Sequence, residues 1–223
     1  MDHFYYQILG FMTQCLRDVY HAQVKEVKSG ATFVELGTFF GASAAYMAVE
    51  IFNSGKWIDF HTVDTFAGSS EVSSFFENRD VYSECLNNLR PVLNRISIHK
   101  QDSAEAAKMF KDHSVDFCFI DAAHDYDSCK ADIEAWLPKM KPGGLLAGHD
   151  YCNSFMGVVN AVEDTLGNSA DGDIEVQGVC WLYRIPTLET IRKAITTAYE
   201  TVLRQTSGQG ALTSVKETQR KLI

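Results

Sequence analysis

The sequence predicts an α/β fold: a doubly wound, mostly parallel seven-stranded sheet with helices on both faces and an antiparallel C-terminal hairpin. Three observations predict it. Short apolar runs lack polar alternation, which is typical of strands buried on both faces. These runs alternate with longer amphipathic stretches, as in successive strand–helix units. The last two runs follow each other with no helix between them, which indicates a hairpin.

Seven short apolar runs are the expected strands. They are residues 32–36, 60–63, 95–99, 115–120, 145–147, 174–176 and 180–184. The fourth run is nearly all apolar, and the fifth follows the Pro-Gly-Gly turn at 142–144. Each of the first five is followed closely by glycine, a carboxylate or histidine, so the polar residues concentrate where strands end.

The segments between these runs carry the three- and four-residue apolar spacing of helices. The expected helices are residues 3–28 as one or two helices, then 42–52, about 72–90, 103–111, 127–137, 154–166 and 187–205. The pattern Asp102-x-x-Glu105 predicts a capped helix start. Asp127 or Ser128 is expected to cap the helix that Pro138 ends.

The composition is that of a globular protein with one sizeable core. The chain has 223 residues, of which 46% are hydrophobic, and Lys+Arg 20 against Asp+Glu 29 gives a net charge of −9. This negative charge argues against binding to bare nucleic acid or to an anionic membrane surface. No run approaches the roughly 20 consecutive apolar residues of a membrane-spanning helix.

The N-terminus and the cysteines indicate a cytoplasmic protein. The first residues lack the basic start and the apolar run of a secretory signal. The six cysteines lie far apart, without a Cys-x-x-Cys pair or metal-finger spacing, at positions 15, 85, 118, 129, 152 and 180. We therefore expect reduced thiols in a cytoplasmic protein.

Charge separates an acidic body from a basic end. Residues 187–223 have six Lys/Arg and three Asp/Glu, a net of +3, whereas residues 1–186 carry −12. We expect an N-terminal helical segment at 1–29, the main domain at 30–186, and a C-terminal helix with a loosely held end at 187–223. Homo-oligomerisation, if it occurs, is expected through the terminal helices.

Glycines follow the first strand, at the edge of the sheet where doubly wound folds bind ligands. Gly37 permits a tight turn, and Gly41 would let a ligand approach the helix start. The spacing is neither the Gly-x-Gly-x-x-Gly of a dinucleotide site nor a phosphate loop with Gly-Lys-Ser/Thr. The alternative interpretation is a plain strand-to-helix turn.

Carboxylates follow the second and third strands. Asp64 ends the second, where a carboxylate can accept hydrogen bonds from a ribose diol. Asp102 follows the third, where helix capping and ligand binding are compatible because that helix start faces the same cleft. Each residue alone could be structural, and Asp64 has the alternative of a turn aspartate.

Carboxylates and histidines follow the fourth and fifth strands. Asp121 and His124 follow the fourth, and no local structural role accounts for them once the next helix is capped elsewhere. His149 and Asp150 follow the fifth. Five successive strand ends that converge on such residues are a stronger indication of a ligand site than any one of them.

These motifs resemble those of class I S-adenosylmethionine-dependent methyltransferases, which have a Rossmann-like sheet. Val-Glu-Leu-Gly-Thr-Phe-Phe-Gly-Ala-Ser at 34–43 is similar to their first motif. The ordered set of Phe-Ile-Asp-Ala-Ala-His-Asp-Tyr at 119–126 and Lys-Pro-Gly-Gly-Leu-Leu-Ala-Gly-His-Asp-Tyr at 141–151 is more specific. It resembles methyltransferase family 24, relatives of the catechol and caffeoyl-coenzyme A O-methyltransferases. The resemblance spans about residues 30–185.

The resemblance implies a set of S-adenosylmethionine-binding residues. The first-strand end and its glycine loop would hold the methionine part, the second-strand carboxylate the ribose, the third-strand end the adenine, and the fourth-strand aspartate would lie below the sulfonium. The residues at these positions are Glu35, Gly37, Thr38, Gly41, Ser43, Asp64, Asp102, Ser103 and Asp121.

The resemblance also implies a catalytic base. Catechol-type relatives place a lysine base three residues after a metal-binding aspartate, and Asp121-x-x-His124 places an imidazole there. Histidine titrates near neutrality and can accept a hydroxyl proton as the oxygen attacks the methyl group. His149 is the competing candidate, and a helix-entry role is the alternative for His124.

The resemblance also raises the question of a metal. Relatives that use Mg²⁺ present an aspartate and then an adjacent Asp-Asn pair, where this chain has Asp121 and then His149-Asp150. Mg²⁺ prefers oxygen ligands, so this set would suit Mn²⁺, Fe²⁺ or Zn²⁺ better. In the alternative that we favour, His149 binds the acceptor or acts as a second base without a metal.

The sequence therefore predicts an S-adenosylmethionine-dependent O-methyltransferase. The expected acceptor is a sugar or phenolic hydroxyl of a small molecule, selected by the N-terminal helices and by residues 66–85 and 151–157, with no nucleic-acid or membrane partner. Two alternatives are a nicotinamide-dinucleotide oxidoreductase or epimerase, against which the missing third glycine of the dinucleotide pattern argues, and a non-catalytic module that retains cofactor binding.

Overall fold

The computed structural model describes residues 1–68, 77, 79–167 and 173–206, with side chains up to residue 202. Its seven strands form a single sheet. They are β1 (Ala31–Leu36), β2 (Ile58–Asp64), β3 (Ser97–Lys100), β4 (Val115–Ile120), β5 (Met140–Gly148), β6 (Glu175–Gln177) and β7 (Cys180–Arg184). All seven expected strands are present, and β5 is longer than the expected 145–147 because the Pro-Gly-Gly segment at 142–144, expected as a turn, is part of the strand.

The strand order in the sheet is β3-β2-β1-β4-β5-β7-β6. The pairs β1–β2, β1–β4, β2–β3 and β4–β5 are parallel, whereas β7 is antiparallel to both β5 and β6. The predicted doubly wound sheet with an antiparallel C-terminal hairpin is confirmed. The order reverses between β1 and β4, which makes the carboxyl ends of these strands the expected ligand position.

The helices of the described residues fall mainly where the periodicity places them. They are α1 (Gln14–Glu26), α2 (Ala42–Ser54), α3 (Val81–Asn88), α4 (Ser103–Ala107), α5 (Tyr126–Trp136), α6 (Met156–Leu166) and α7 (Leu188–Thr206). Short 3₁₀ turns lie at Tyr5–Gln7, Leu93–Arg95, Leu137–Lys139 and Asn153–Phe155. The beginning of the helix expected at 72–90 and the expected loose end after 206 lie outside the described residues.

The cap of α5 differs from the expectation. Neither Asp127 nor Ser128 caps this helix. Asp125 does, because its backbone is extended and its carboxylate accepts a hydrogen bond from the Ser128 N–H at 3.0 Å. The cap expected at Asp102 is present, since its carboxylate accepts from the N–H groups of Ala104 and Glu105.

Helices cover both faces of the sheet. The alternation along β4 shows why its sequence is apolar throughout: Phe117 and Phe119 pack on the face that α1 and α2 cover, whereas Cys118 and Ile120 pack on the face that α5 and α6 cover. Burial of apolar surface on two faces is the main stabilisation of such a sheet.

The N-terminal helix α1 belongs to the core of this structure. Leu16, Val19, Tyr20 and Val24 are 0–2% exposed and pack in the same cluster as the β1 side chain of Phe33. Thr13 begins the helix as its N-cap, with its hydroxyl accepting from the Leu16 N–H at 3.3 Å. The first 29 residues therefore position the chain that enters β1.

The chain divides into two units between Ile185 and Pro186. The sheet and its helices form the first unit. In the second, α7 carries Leu188, Ile191 and Ile195 at helical spacing with exposed side chains. Within the described ranges, no helix is both long enough and apolar enough to cross a membrane.

Candidate functional site

A cavity of about 660 Å³ opens at the carboxyl ends of the parallel strands. Loops that follow β1 to β5 line it, together with the chain that precedes α1. The residues that matter for its chemistry are Gly37, Thr38, Ser43, Asp64, Asp102, Ser103, Asp121, His124, Asp132, His149 and Asp150. This volume is in the range of small-molecule sites, about 300–1,000 Å³.

Gly37 makes the turn that brings β1 and β4 together at the cavity. Its φ is 91°, and a Cβ at this position would lie 1.8 Å from the carbonyl oxygen of Asp121. The Asp121 N–H donates to the Leu36 carbonyl at 2.8 Å, which holds the two strand ends side by side. Only glycine fits both the conformation and the approach.

The Asp64 carboxylate is largely committed to the protein's own backbone. Its Oδ2 accepts from the N–H groups of Thr38 and Phe39, each at 2.8 Å, and its Oδ1 accepts from the Phe66 N–H at 2.7 Å. A carboxylate offers about four acceptor positions. Asp64 therefore fixes the loop after β1 and retains about one acceptor position for a ligand.

Glu35 lies beneath the cavity and does not line it. It is 1% exposed, and its carboxylate accepts from the hydroxyls of Tyr20 at 2.7 Å and Thr62 at 3.1 Å. Burial raises its pKa to about 7, against the lowering effect of hydrogen bonds from Tyr20, Ser43 and Thr62. Gly41 does not line the cavity either. Its φ is 91°, and a Cβ at this position would lie 2.9 Å from the Cγ of Leu89.

The end of β3 supplies a polar corner. Asp102 caps α4, and the Ser103 hydroxyl donates to the carboxylate of Asp132 on α5. Asp132 is 7% exposed, and burial raises its pKa to about 6 despite the bond from Ser103. Sequence reasoning missed Asp132 because the α5 pattern explains it as an ordinary helical residue.

The ends of β4 and β5 bring Asp121, His124 and Asp150 together. Each offers one ligand-type atom, and these atoms lie within 4.8 Å of one another. His124 Nε2 lies 3.0 Å from Asp150 Oδ2, and its ring packs at 4.4 Å from the Phe155 ring. Burial raises the pKa of Asp121 to about 6, although His149 lowers it.

His149 lies on the other side of the Asp150 carboxylate. Its Nδ1 is 3.0 Å from Asp150 Oδ1, and its Nε2 is 2.9 Å from the Thr13 hydroxyl. Burial opposes the charged imidazolium, but the hydrogen bond to Asp150 and the nearby carboxylates raise the pKa of His149. Burial likewise opposes the charge of Asp150, yet both histidines hold its pKa well below the usual range.

The three metal ligands that the sequence predicts, Asp121, His149 and Asp150, do not form one group in the structure. Asp121 and Asp150 do converge, but the third residue with them is His124. Both ring nitrogens of His149 contact other groups, Asp150 and Thr13. Asp150 adopts a φ of 62°, a left-handed conformation that aspartate tolerates better than most residues and that recurs at functional sites.

One wall of the cavity is formed by Leu9, Gly10, Phe11 and Met12, which the periodicity assigned to a helix. These residues precede α1 and form no helix. Gly10 is the signal that could have indicated the break, since a Cβ there would lie 2.7 Å from the Cβ of Ala42. Gln101 and Phe155 also line the cavity and carried no recognisable sequence pattern.

The model of methyltransferase family 24, described as a methyltransferase domain, matches residues 34–151. The matched range runs from β1 to the residue after Asp150 and so contains all the strand ends around the cavity. Over part of the same fold, the chain is 27% identical in 117 residues to the uncharacterized protein y4gI of Sinorhizobium fredii (strain NBRC 101917 / NGR234). The match covers 52% of this chain and 13% of that relative's length.

Solved O-methyltransferases share the fold. The O-methyltransferase NovP has a TM-score of 0.63 at 15% identity, covering 78% of this chain and 80% of NovP. CalS11, a TDP-rhamnose 3'-O-methyltransferase, has a TM-score of 0.52 at 17% identity, covering 75% and 76%. An O-methyltransferase from Bacillus cereus in complex with SAH has a TM-score of 0.51 at 18% identity, covering 79% and 82%.

Proposed function

The chain belongs to the methyltransferase domain family, and from that membership we propose that it transfers a methyl group from S-adenosylmethionine to a hydroxyl of a small molecule or sugar. The observation that carries the proposal is the cavity, which the ends of five parallel strands line with carboxylates and a His124–Asp150–His149 group. The solved enzymes with the same fold include CalS11, a 3'-O-methyltransferase of the sugar nucleotide TDP-rhamnose.

The charge of the cavity fits a cationic cofactor. Among the described residues that line it, five are aspartates and none is lysine or arginine; the aspartates are Asp64, Asp102, Asp121, Asp132 and Asp150. S-adenosylmethionine would supply an activated methyl group on a positively charged sulfonium. An acidic lining favours that cation over the neutral demethylated product, which would help the product to leave.

Particular residues fit particular parts of such a cofactor. Gly37 and Thr38 would face the methionine part, and the remaining acceptor position of Asp64 fits one ribose hydroxyl. The corner of Asp102 and Ser103 would face the adenine. Glu35, which does not line the cavity, would act from beneath by holding the loop that carries Thr38, since Thr62 bonds both Glu35 and Thr38.

His124 is the proposed general base. Its Nε2 lies 3.0 Å from Asp150 Oδ2, which orients the ring, and an imidazole can take the acceptor's hydroxyl proton as the oxygen attacks the methyl group. The Asp150 carboxylate then stabilises the imidazolium that forms. His149 is less suited to this role, because its side chain is only 7% exposed, against 21% for His124.

We propose that methyl transfer here proceeds without a catalytic divalent metal. Asp121, His124 and Asp150 could hold one as two carboxylates and an imidazole, but His124 cannot be both ligand and base. Adding Mg²⁺ or Mn²⁺ to chelator-treated protein is expected to leave the turnover unchanged. A rise in turnover with either ion would contradict this assignment.

The acceptor is proposed to bind against the wall that precedes α1. Phe11 and Phe39 line the cavity with ring centroids 6.2 Å apart and planes at 20°. Aromatic faces of this kind stack on phenols and sugars. A screen of phenolic and sugar acceptors, read out as S-adenosylhomocysteine release, is expected to find activity in these classes.

Calorimetric titration of the full chain with S-adenosylmethionine and, separately, with NAD tests the proposal. We expect one S-adenosylmethionine per chain and no heat with NAD, because the loop after β1 lacks the dinucleotide spacing. Heat with NAD alone, or with neither ligand, would overturn the proposed function.

A further inference from the structure

A second cluster of ligand-type side chains lies beside the cavity. Cys15 in the first turn of α1, His149 at the end of β5 and Cys180 at the start of β7 each present one ligand-type atom, and these atoms lie within 4.8 Å of one another. The three residues come from distant parts of the sequence. The cluster shares His149 with the cavity but none of the cavity's carboxylates.

The donor set has the chemistry of a zinc site. Two thiolates and one imidazole are typical ligands of Zn²⁺, at about 2.3 Å for sulfur and about 2.0–2.1 Å for nitrogen. In a tetrahedral site, donors at these distances lie roughly 3.4–3.8 Å apart, within the spread of the cluster. Mg²⁺ and Ca²⁺ prefer oxygen and would not choose this set.

His149 is oriented as zinc-binding histidines are. Its Nδ1 faces Asp150 Oδ1 at 3.0 Å, and its Nε2 faces the Thr13 hydroxyl at 2.9 Å. Metal-binding histidines generally donate one ring N–H to a carboxylate, which fixes the tautomer and directs the other nitrogen to the metal. Asp150 supplies that carboxylate here.

The surrounding backbone brings Cys15 to the hairpin. Gly178, in the turn between β6 and β7, lies so close that a Cβ there would be 2.9 Å from the Cβ and 3.0 Å from the Sγ of Cys15. The Val179 backbone and the Cys180 side chain hydrogen-bond the Cys15 sulfur. The Thr13 hydroxyl lies 3.1 Å from the same sulfur, so its oxygen is close enough to serve as the fourth ligand.

We propose that Cys15, His149 and Cys180 form a binding site for one Zn²⁺ ion, with Thr13 or water in the fourth position. The ion links α1 to the neighbouring ends of β5 and β7 and holds His149 in its orientation beside the cavity. Binding needs deprotonated thiols, so it releases protons. The site does not depend on methyl transfer and stands or falls separately from the proposed function.

Cobalt substitution of the full chain tests the site. Protein freed of metal by a chelator under reducing conditions is titrated with Co²⁺, and Zn²⁺ is then added. We expect one Co²⁺ per chain, with thiolate-to-cobalt charge-transfer absorption and the visible bands of tetrahedral Co²⁺, and displacement by one Zn²⁺.

Matched cysteine variants localise the ion. Cys15→Ser should weaken Zn²⁺ binding at least about 100-fold, since loss of an outer contact alone costs roughly 10–100-fold. Cys152→Ser is the control because Cys152 is partly exposed like Cys15. Cys180→Ser and the buried control Cys85→Ser form a second pair, and the partly exposed pair decides if the buried variants do not fold.

Three outcomes would overturn the proposal. One is the absence of thiolate-to-cobalt absorption in the wild-type chain. Another is equal Zn²⁺ affinity in Cys15→Ser and Cys152→Ser. The third is a mass lower by two hydrogens without bound metal after purification, with Cys15 joined to Cys180, because that would identify the pair as a disulfide.

Discussion

The two halves of the cavity use carboxylates in different ways. At the ends of β1 and β2, Glu35 and Asp64 hydrogen-bond hydroxyls and backbone N–H groups that are part of the scaffold. At the ends of β4 and β5, Asp150 instead contacts two histidines, with Asp121 close to them. The first half is built to hold a loop, and the second is built from groups that can exchange protons.

This difference separates binding from chemistry. Carboxylates that accept from backbone N–H groups fix geometry and change little during a reaction, whereas a carboxylate between two imidazoles changes its interaction when either ring gains a proton. Substitutions in the β1–β2 half should therefore alter cofactor affinity and stability. Substitutions in the β4–β5 half should alter turnover.

The largest expected effect is on turnover, in His124→Asn. Removal of the proposed base should lower kcat by about 10²–10⁴-fold, the usual contribution of a general base, while S-adenosylmethionine affinity stays within about threefold. His149→Asn is the matched control, since its ring nitrogen also lies 3.0 Å from Asp150. His149→Asn should lower kcat by only about tenfold, because the His149 side chain contributes by holding Asp150 in position.

Single-turnover rates and calorimetric affinities of both histidine variants make the measurement. A larger loss of kcat in His149→Asn than in His124→Asn would reverse the assignment of base and positioning residue. A large loss of cofactor affinity in either variant would break the division of the cavity into a binding half and a chemical half.

Much of the fold was predictable because it depends on local patterns. The apolar runs in β4 and at the end of β5 place two central strands, and the antiparallel hairpin follows from two runs without a helix between them. The Pro-Gly-Gly segment, expected as a turn before β5, lies within that strand. The positions of polar residues after strands also predicted which part of the sheet would carry the cavity, because parallel strands end at the same edge.

The partners of those residues were not predictable, because they depend on contacts between distant parts of the chain. His149 bonds Thr13, 136 positions away, and the wall at Gly10 closes on Ala42 of α2. Asp64 followed a strand, as a ribose ligand would, yet nothing local indicated that three backbone N–H groups would occupy it. Tertiary packing decides such details.

A smaller effect is expected in Asp64→Ala, which tests the binding half. Loss of the acceptor for Thr38, Phe39 and Phe66 should loosen the loop after β1 and weaken S-adenosylmethionine binding. The Kd should rise by roughly 10–50-fold, which corresponds to about 1.4–2.3 kcal/mol of binding free energy. The kcat at saturating cofactor should fall by less than about threefold.

The control for Asp64→Ala lies on the same strand. Asp59, near the start of β2, has a half-exposed carboxylate 3.2 Å from His61, and Asp59→Ala should leave the Kd unchanged. Calorimetry on both variants is the measurement. Unchanged cofactor affinity in Asp64→Ala would contradict its assignment to the binding half.

The smallest expected effect concerns stability and follows from the buried position of Glu35. Its folded pKa of about 7 lies above the ordinary value of 4.5 for a glutamate carboxyl. Between these values the folded protein keeps a proton that the unfolded chain releases, so the free energy of unfolding falls as pH rises through this window. Glu35→Gln should remove about 1–2 kcal/mol of that decline between pH 5 and pH 7.

Denaturant unfolding at several pH values measures this slope. Asp121 and Asp132, whose pKa values are each raised to about 6, should leave part of the decline in Glu35→Gln. Glu26→Gln, which changes a carboxylate with 53% of its side chain exposed, should keep the wild-type slope. Equal slopes in the two variants would mean that Glu35 does not bind a proton in this range. Glu35 accepts hydrogen bonds from Tyr20 and Thr62 beneath the cavity and does not line it. Turnover should therefore depend far less on Glu35→Gln than on His124→Asn.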